Sequence, residues 1–210
     1  MKENQDYTVK NSGSNVQWKE NHYVIDAENF AEEGNYNVLF NTRDRASNTM
    51  NNTSVKKNNK NLPIEFTVDK TAPTVVVSGV EDGGQYRSAE KNMIVDAKDN
   101  LALAKVIISV DGEKTVYNAE KLRKLNGMIE TAVSSANSWQ NIEITSEDAA
   151  GNQLGQTEEN DKAQPVVMKI LVTSNIVIQY YMNKPLFYGS IAVIVIMVGL
   201  IVLLVWRKKK

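Results

Sequence analysis

Residues 186–206 place 21 side chains in a row without one charge among them. Wound into an α-helix at ~1.5 Å per residue, such a run reaches ~30 Å, the thickness of a bilayer's hydrocarbon core. Its centre, Ile191 to Val205, is dense in Val and Ile, which lower helix propensity in water. In lipid the backbone has no water to bond, so a self-satisfied helix prevails over strand propensity. A soluble core seldom needs so long an uncharged stretch, and residues 186–206 are therefore read as a transmembrane helix.

The flanks set its direction. Arg207, Lys208, Lys209 and Lys210 follow at once, whereas the other side offers only Lys184 nearby. The positive-inside rule places residues 207–210 in the cytoplasm as a basic tail and everything before Pro185 outside the cell. Phe187, Tyr188 and Trp206 suit the aromatic belts at the two interfaces. The expected localisation is the cell membrane, single-pass, with the N-terminal region extracellular. Export requires a leader, and Met1 to Lys10 are polar with no apolar run. The expectation is a fragment of a longer protein.

Composition excludes several chemistries. The chain has no Cys, so disulfides, thiolate metal sites and a cysteine nucleophile are out. It has one His, His22, on which any catalytic triad or His-based zinc site would have to rest. A formal net charge of -1 gives no basic surplus for nucleic acid. No nucleophile elbow, P-loop or dinucleotide fingerprint is present.

Two stretches match at a constant offset of 104 residues: Asn37 to Asn48 against Asn141 to Asn152, and Ile64 to Val68 against Met168 to Val172. That period exceeds solenoid repeats and fits a whole β-sandwich of ~100 residues used in tandem. In the second copy, strands are predicted near residues 74–78, 92–97, 105–111, 114–117, 128–133, 141–146 and 166–172. Turns fall at Gly83-Gly84, Asp111-Gly112 and Gly151-Asn152. Ile142 and Ile144 alternate with Glu143 and Thr145, one face buried and one wet. Asn118 is a candidate cap for a short helix over 119–125, with Leu122 and Leu125 facing inward. The first copy lacks counterparts of the two opening strands, which predicts the C-terminal part of a domain with an open edge. A strand is expected at 23–26 and a long polar loop at 48–61.

At Val68-Asp69-Lys70-Thr71-Ala72-Pro73 the chain resembles bacterial immunoglobulin-like domains of Gram-positive cell-surface proteins. The Asp99-Asn100-Leu101 step, the Val110-Asp111-Gly112 turn and Asp148-Ala149-Ala150-Gly151-Asn152 carry the same resemblance. It covers most of residues 1–173 and implies tandem extracellular spacers or adhesin stalks. The expected fold is all-β: immunoglobulin-like β-sandwich repeats followed by one transmembrane α-helix. The domains are 1–69 (part of a domain), 70–173 (a complete sandwich), 174–185 (a stalk), 186–206 and 207–210. Ser47 departs from the family's Gly at that turn, which strains the turn if it needs positive φ. No LPxTG signal precedes the helix, which leaves the helix as the anchor.

Within that frame Pro73 stiffens the junction, and Asp148 and Asp44 accept backbone N–H bonds within their own turns. Asp69, Asp96, Asp99 and Asp148 are candidates for a calcium site at a domain end, weighed against each capping its own turn, the favoured reading. His22 reads as a surface residue, and Trp18 and Trp139 as core or edge aromatics in preference to sugar platforms. Asn51 and Asn52 head formal glycosylation sequons. No catalytic, cofactor-binding or metal residue is assigned, and the chain is read as no enzyme. The function expected is a membrane-anchored bacterial spacer for adhesion or display. Its partners are the bilayer and a host or cell-wall protein or glycan, with no nucleic acid. The alternatives are a ligand- or carbohydrate-binding module, or the anchor of a surface enzyme whose catalytic domain lies upstream.

Overall fold

The computed structural model describes residues 5–12, 20–52, 56–57, 60–61, 63–157 and 159–208. Trp18 lies outside them. The chain is mostly β with one long apolar helix at its C-terminus, and its contacts divide it into two units, Met1–Lys70 and Thr71–Lys210.

The first unit is built from short antiparallel pairs. β1 (Tyr7–Ser12) pairs with β2 (Glu20–Ile25), which starts before the strand expected at 23–26 and stops one residue short of its end, because Asp26 takes the N-cap position of the following turn. A 3-10 turn at Ala27–Phe30 leads into β3 (Gly34–Val38). Then come β4 (Asn41–Arg43), β5 (Thr49–Asn51), β6 (Lys56–Lys57), β7 (Lys60–Asn61) and β8 (Ile64–Val68). The pairs are β3 with β8, β4 with β5 and β6 with β7. The polar stretch at 48–61 is thus no plain loop. Asn41 and Thr42 face Asn51 and Met50 across a tight turn that draws part of it into a hairpin. Phe30, Tyr36 and Phe66 form an aromatic cluster with ring centroids 5.0–5.4 Å apart. From Tyr23 to Asn52 no residue of this unit is fully buried.

The second unit sets two sheets against one core. One sheet orders β14 (Met128–Ser134), β11 (Glu90–Lys98) and β9 (Thr74–Ser78). The other orders β10 (Gln85–Tyr86), β16 (Val166–Val172), β15 (Gln140–Asp148), β12 (Leu103–Val110) and β13 (Glu113–Asn118). Among the described strand pairs of this unit, β10 alone joins its neighbour in parallel. Alternation drives the burial. On β15, Ile142, Ile144 and Ser146 point inward while Asn141 and Glu143 face water. Met93, Val95, Ile129 and Val133 from the first sheet meet Val106, Ile108, Ile142, Ile144 and Ile170 from the second. Full burial of each such aliphatic side chain is worth ~1.5–3 kcal/mol. The Asp111-Gly112 hairpin has φ of 50° and 88°, the two positive values that a tight primed turn requires.

α1 (Ala119–Lys124) crosses between β13 and β14, and the Asn118 side chain accepts the Lys121 N–H as its cap at 3.0 Å. Leu122 is buried beneath it. Leu125, expected to face inward, is 38% exposed. The helix stops one residue earlier, and Leu125 sits at its cap before Asn126 and Gly127 reverse the chain at φ 50° and 75°.

The residues expected to form a stalk are partly helical. Beyond β16 the chain forms α2 (Ile176–Met182), then α3 (Lys184–Lys208). Asn175 caps α2 by accepting the Val177 N–H at 2.9 Å.

Candidate functional site

Three features carry functional weight: the apolar helix with its joint, the acidic turns, and a cleft beside α1.

α3 has 25 residues, and none of them is buried against the rest of the chain. A helix apolar on every side belongs in a large core or in lipid. Here no protein core surrounds it, and its length and composition suffice to cross a bilayer. Pro185 falls in its first turn, where a missing N–H costs nothing. Asn183 serves both helices: its N–H bonds the Gln179 carbonyl at the end of α2, and its own carbonyl accepts the Phe187 N–H at 2.9 Å. Tyr180 and Tyr181 of α2 pack on Phe187 of α3 at centroid distances of 5.8 and 4.9 Å. The Tyr180 hydroxyl also bonds the Ser190 hydroxyl.

Two of the four acidic residues, Asp99 and Asp148, act as turn caps. One Asp148 oxygen accepts the N–H groups of Ala150, Gly151 and Asn152 at 2.7–2.8 Å. The other accepts the Asn152 side-chain amide at 2.7 Å. Asp99 accepts the N–H groups of Leu101 and Ala102 at 2.8 and 2.9 Å. Asp96 pairs with Lys98 at 2.6 Å. Asp99 and Asp148 bring carboxylate oxygens within 4.8 Å of one another. Asp69 belongs to the first unit.

In the first unit Asp44 repeats the geometry of Asp148. It accepts the Asn48 N–H at 2.8 Å and the Asn48 side-chain amide at 2.7 Å. The Asn48 side chain, then its backbone N–H, hold the Asp44 carboxyl below its ordinary pKa, aided by the Ala46 N–H and opposed by slight desolvation.

The remaining candidates are dispersed. His22 stands on β2 opposite Lys10. Asn52 is engaged, accepting from the Phe40 N–H and donating to the Val38 carbonyl, which ties up its amide nitrogen. Around the two sheets the aromatic residues are Tyr86, Tyr117 and Trp139. Tyr117 is buried with Lys121 over its ring, the Tyr86 hydroxyl accepts the Glu81 N–H, and Trp139 is 37% exposed. They form no grouped stacking platform. A cleft of about 550 Å³ lies between α1 and the turn joining β11 to β12, lined by Asp99, Leu101, Glu120, Arg123 and Asn126 among others.

No family model matches the chain. No curated protein matches it either. Among solved structures it is similar to the fibronectin(III)-like modules of Clostridium thermocellum CbhA. The two are 13% identical over 81% of this chain and 87% of that one, with a TM-score of 0.36. A match of that quality transfers no role to this chain.

Proposed function

We propose that the chain is a single-pass, membrane-anchored surface protein whose immunoglobulin-like modules serve as a non-catalytic extracellular spacer for adhesion or display. The observation that carries this reading is α3: 25 residues, uncharged over 186–206, none of them fully buried by the described residues, and basic at the C-terminal end. The positive-inside rule puts that end in the cytoplasm.

The modular reading is supported by the register. In β3 and β8, Asn37 faces Glu65 and Val38 faces Ile64; in β15 and β16, Asn141 faces Lys169 and Ile142 faces Met168. Each residue differs from its counterpart by the same 104 positions. Two copies of one module, of the kind found in Gram-positive surface proteins, account for that coincidence. A packed module with side-chain hydrogen bonds spent on turns offers reach and stiffness, and this favours a spacer over a carbohydrate-stacking face.

The absence of native Cys makes the orientation directly testable. Thr115→Cys on exposed β13 and Lys210→Cys in the tail are produced in cells exporting the chain behind a cleavable leader. A membrane-impermeant maleimide should label position 115 on intact cells and position 210 only after permeabilisation. Labelling of position 210 on intact cells rules the orientation out.

A further inference from the structure

We infer that α2 is an interfacial helix, its partner the headgroup–acyl boundary of the bilayer, and that it holds the second unit at a fixed height on the membrane surface. This rests on the reading of α3 as a membrane span and adds a second contact to it.

The first support is composition. From Ile170 to Asn183 no residue is charged. On α2, Ile176 is 79% exposed, and Val177 and Tyr181 are more than half exposed. Val177 and Tyr181 are one helical turn apart and share a face. Leu186 and Tyr188, in the first two turns of α3, are likewise more than half exposed. An apolar patch of this kind in a soluble position is a liability, and beside a bilayer it is a contact.

The second support is position. Phe187 and Ser190 lie at the start of the uncharged stretch, and Tyr180 touches both. α2 is therefore folded against the mouth of the span, at the depth where Tyr side chains partition with one end apolar and the other wet. A surface continuous with the membrane span has lipid as its nearest apolar partner.

The third support is the tie to the sheets. Thr173 is fully buried; its carbonyl accepts the Gln179 side-chain amide at 3.1 Å, and its hydroxyl accepts the Asn175 N–H at 3.1 Å. The Ser174 N–H donates to the Ser135 hydroxyl at 3.0 Å, and the Ala136 N–H to the Val172 carbonyl at 2.8 Å. Every residue between β16 and α2 is thus held by hydrogen bonds, and the connection is a bracket instead of a free tether. Since α2 has no basic side chain, its contact with lipid is apolar and insensitive to anionic lipid, unlike basic interfacial helices.

The test uses the full chain in phosphatidylcholine vesicles with an environment-sensitive fluorophore on Val177→Cys or on Val198→Cys. Bromines are carried either near the headgroup end or near the methyl end of the acyl chains. Shallow bromines should quench the label at 177 and deep bromines that at 198, with the loss at 177 unchanged when anionic lipid is added. Quenching at 198 with none at 177 overturns the interfacial helix and leaves the span standing. No quenching at 198 overturns the span, and the inference falls with it.

Discussion

Asp148 wraps Asn152. The carboxylate accepts the Asn152 backbone N–H at 2.8 Å through one oxygen and the Asn152 side-chain amide at 2.7 Å through the other. Asp44 and Asn48 reproduce the pair at 2.8 and 2.7 Å, 104 residues earlier. In the second unit the carboxylate is buried at 1% exposure, while in the first it is open to water.

That difference in burial predicts a difference in cost. Asp148→Ala strands three backbone N–H groups, and the loss should be on the order of 3 kcal/mol. Asp148→Asn keeps one acceptor oxygen and should recover part of it. Asp44→Ala, where water replaces the carboxylate, should cost much less. Hydrogen exchange at the Ile144 amide, compared with that at Tyr36 in the first unit, separates the two.

The Asp44 carboxyl also predicts an acid response. Its folded pKa is depressed, chiefly by the Asn48 side chain and then by the Asn48 N–H. A depressed carboxyl contributes stability above its unfolded pKa, and that contribution is lost as pH falls through the lower folded value. The first-unit turn should therefore hold at neutral pH and loosen only in strong acid. Asn48→Ala should return the Asp44 carboxyl towards its ordinary value, read from its carbon chemical shift against pH.

At the third turn position Ser47 has φ 72° and its counterpart Gly151 has φ 98°. Gly151→Ala forces a Cβ into the left-handed region and should cost about 1–2 kcal/mol. No neighbouring atom would clash, so the whole effect is backbone strain. Ser47→Gly relieves that strain but gives up the Arg43–Ser47 hydrogen bond of 2.8 Å. Its net gain should stay below about 1 kcal/mol. Thermal melts of the two variants should move in opposite directions.

Gly127 is constrained twice. Its φ is 75°, and a Cβ there would run into the Ala97 carbonyl while the Ala97 N–H bonds the Gly127 carbonyl at 3.0 Å. Gly127→Ala must break this close approach between the α1 connection and β11. The expected loss is about 3 kcal/mol or more, well above that of Gly151→Ala. Urea midpoints of the two variants give the comparison.

Seven of the second unit's eight strands are legible because Val and Ile recur at period two between Gly and Asn turns. β9 and β16 coincide with the expected 74–78 and 166–172, four others extend slightly past their expected bounds, and β12 (Leu103–Val110) starts earlier but stops before Asp111, which takes the positive φ of the turn. β10 spans two residues, too few to show a period, and its pairing with Leu171 and Val172 is a tertiary fact. α2 escaped notice for a different reason. Ile176, Val177, Ile178, Tyr180 and Tyr181 favour strand by propensity, and what makes them helical is capping by Asn175 and Asn183 together with packing on Phe187. Helix periodicity alone puts Leu125 on the inner face, but the helix ends at Lys124 and Leu125 is its cap. The sharing of one turn by Asp44 and Asp148 was visible in the motif, but only the structure shows that one is buried and the other is not.

Extraction of membranes with strong alkali tests the anchor most directly, because it strips peripheral proteins and leaves spanning helices in the bilayer. The full chain should stay in the pelleted membranes, with α3 in lipid along its length. Recovery of the chain in the alkaline supernatant would contradict the account, since a protein held by a helix such as residues 186–206 cannot leave without the bilayer.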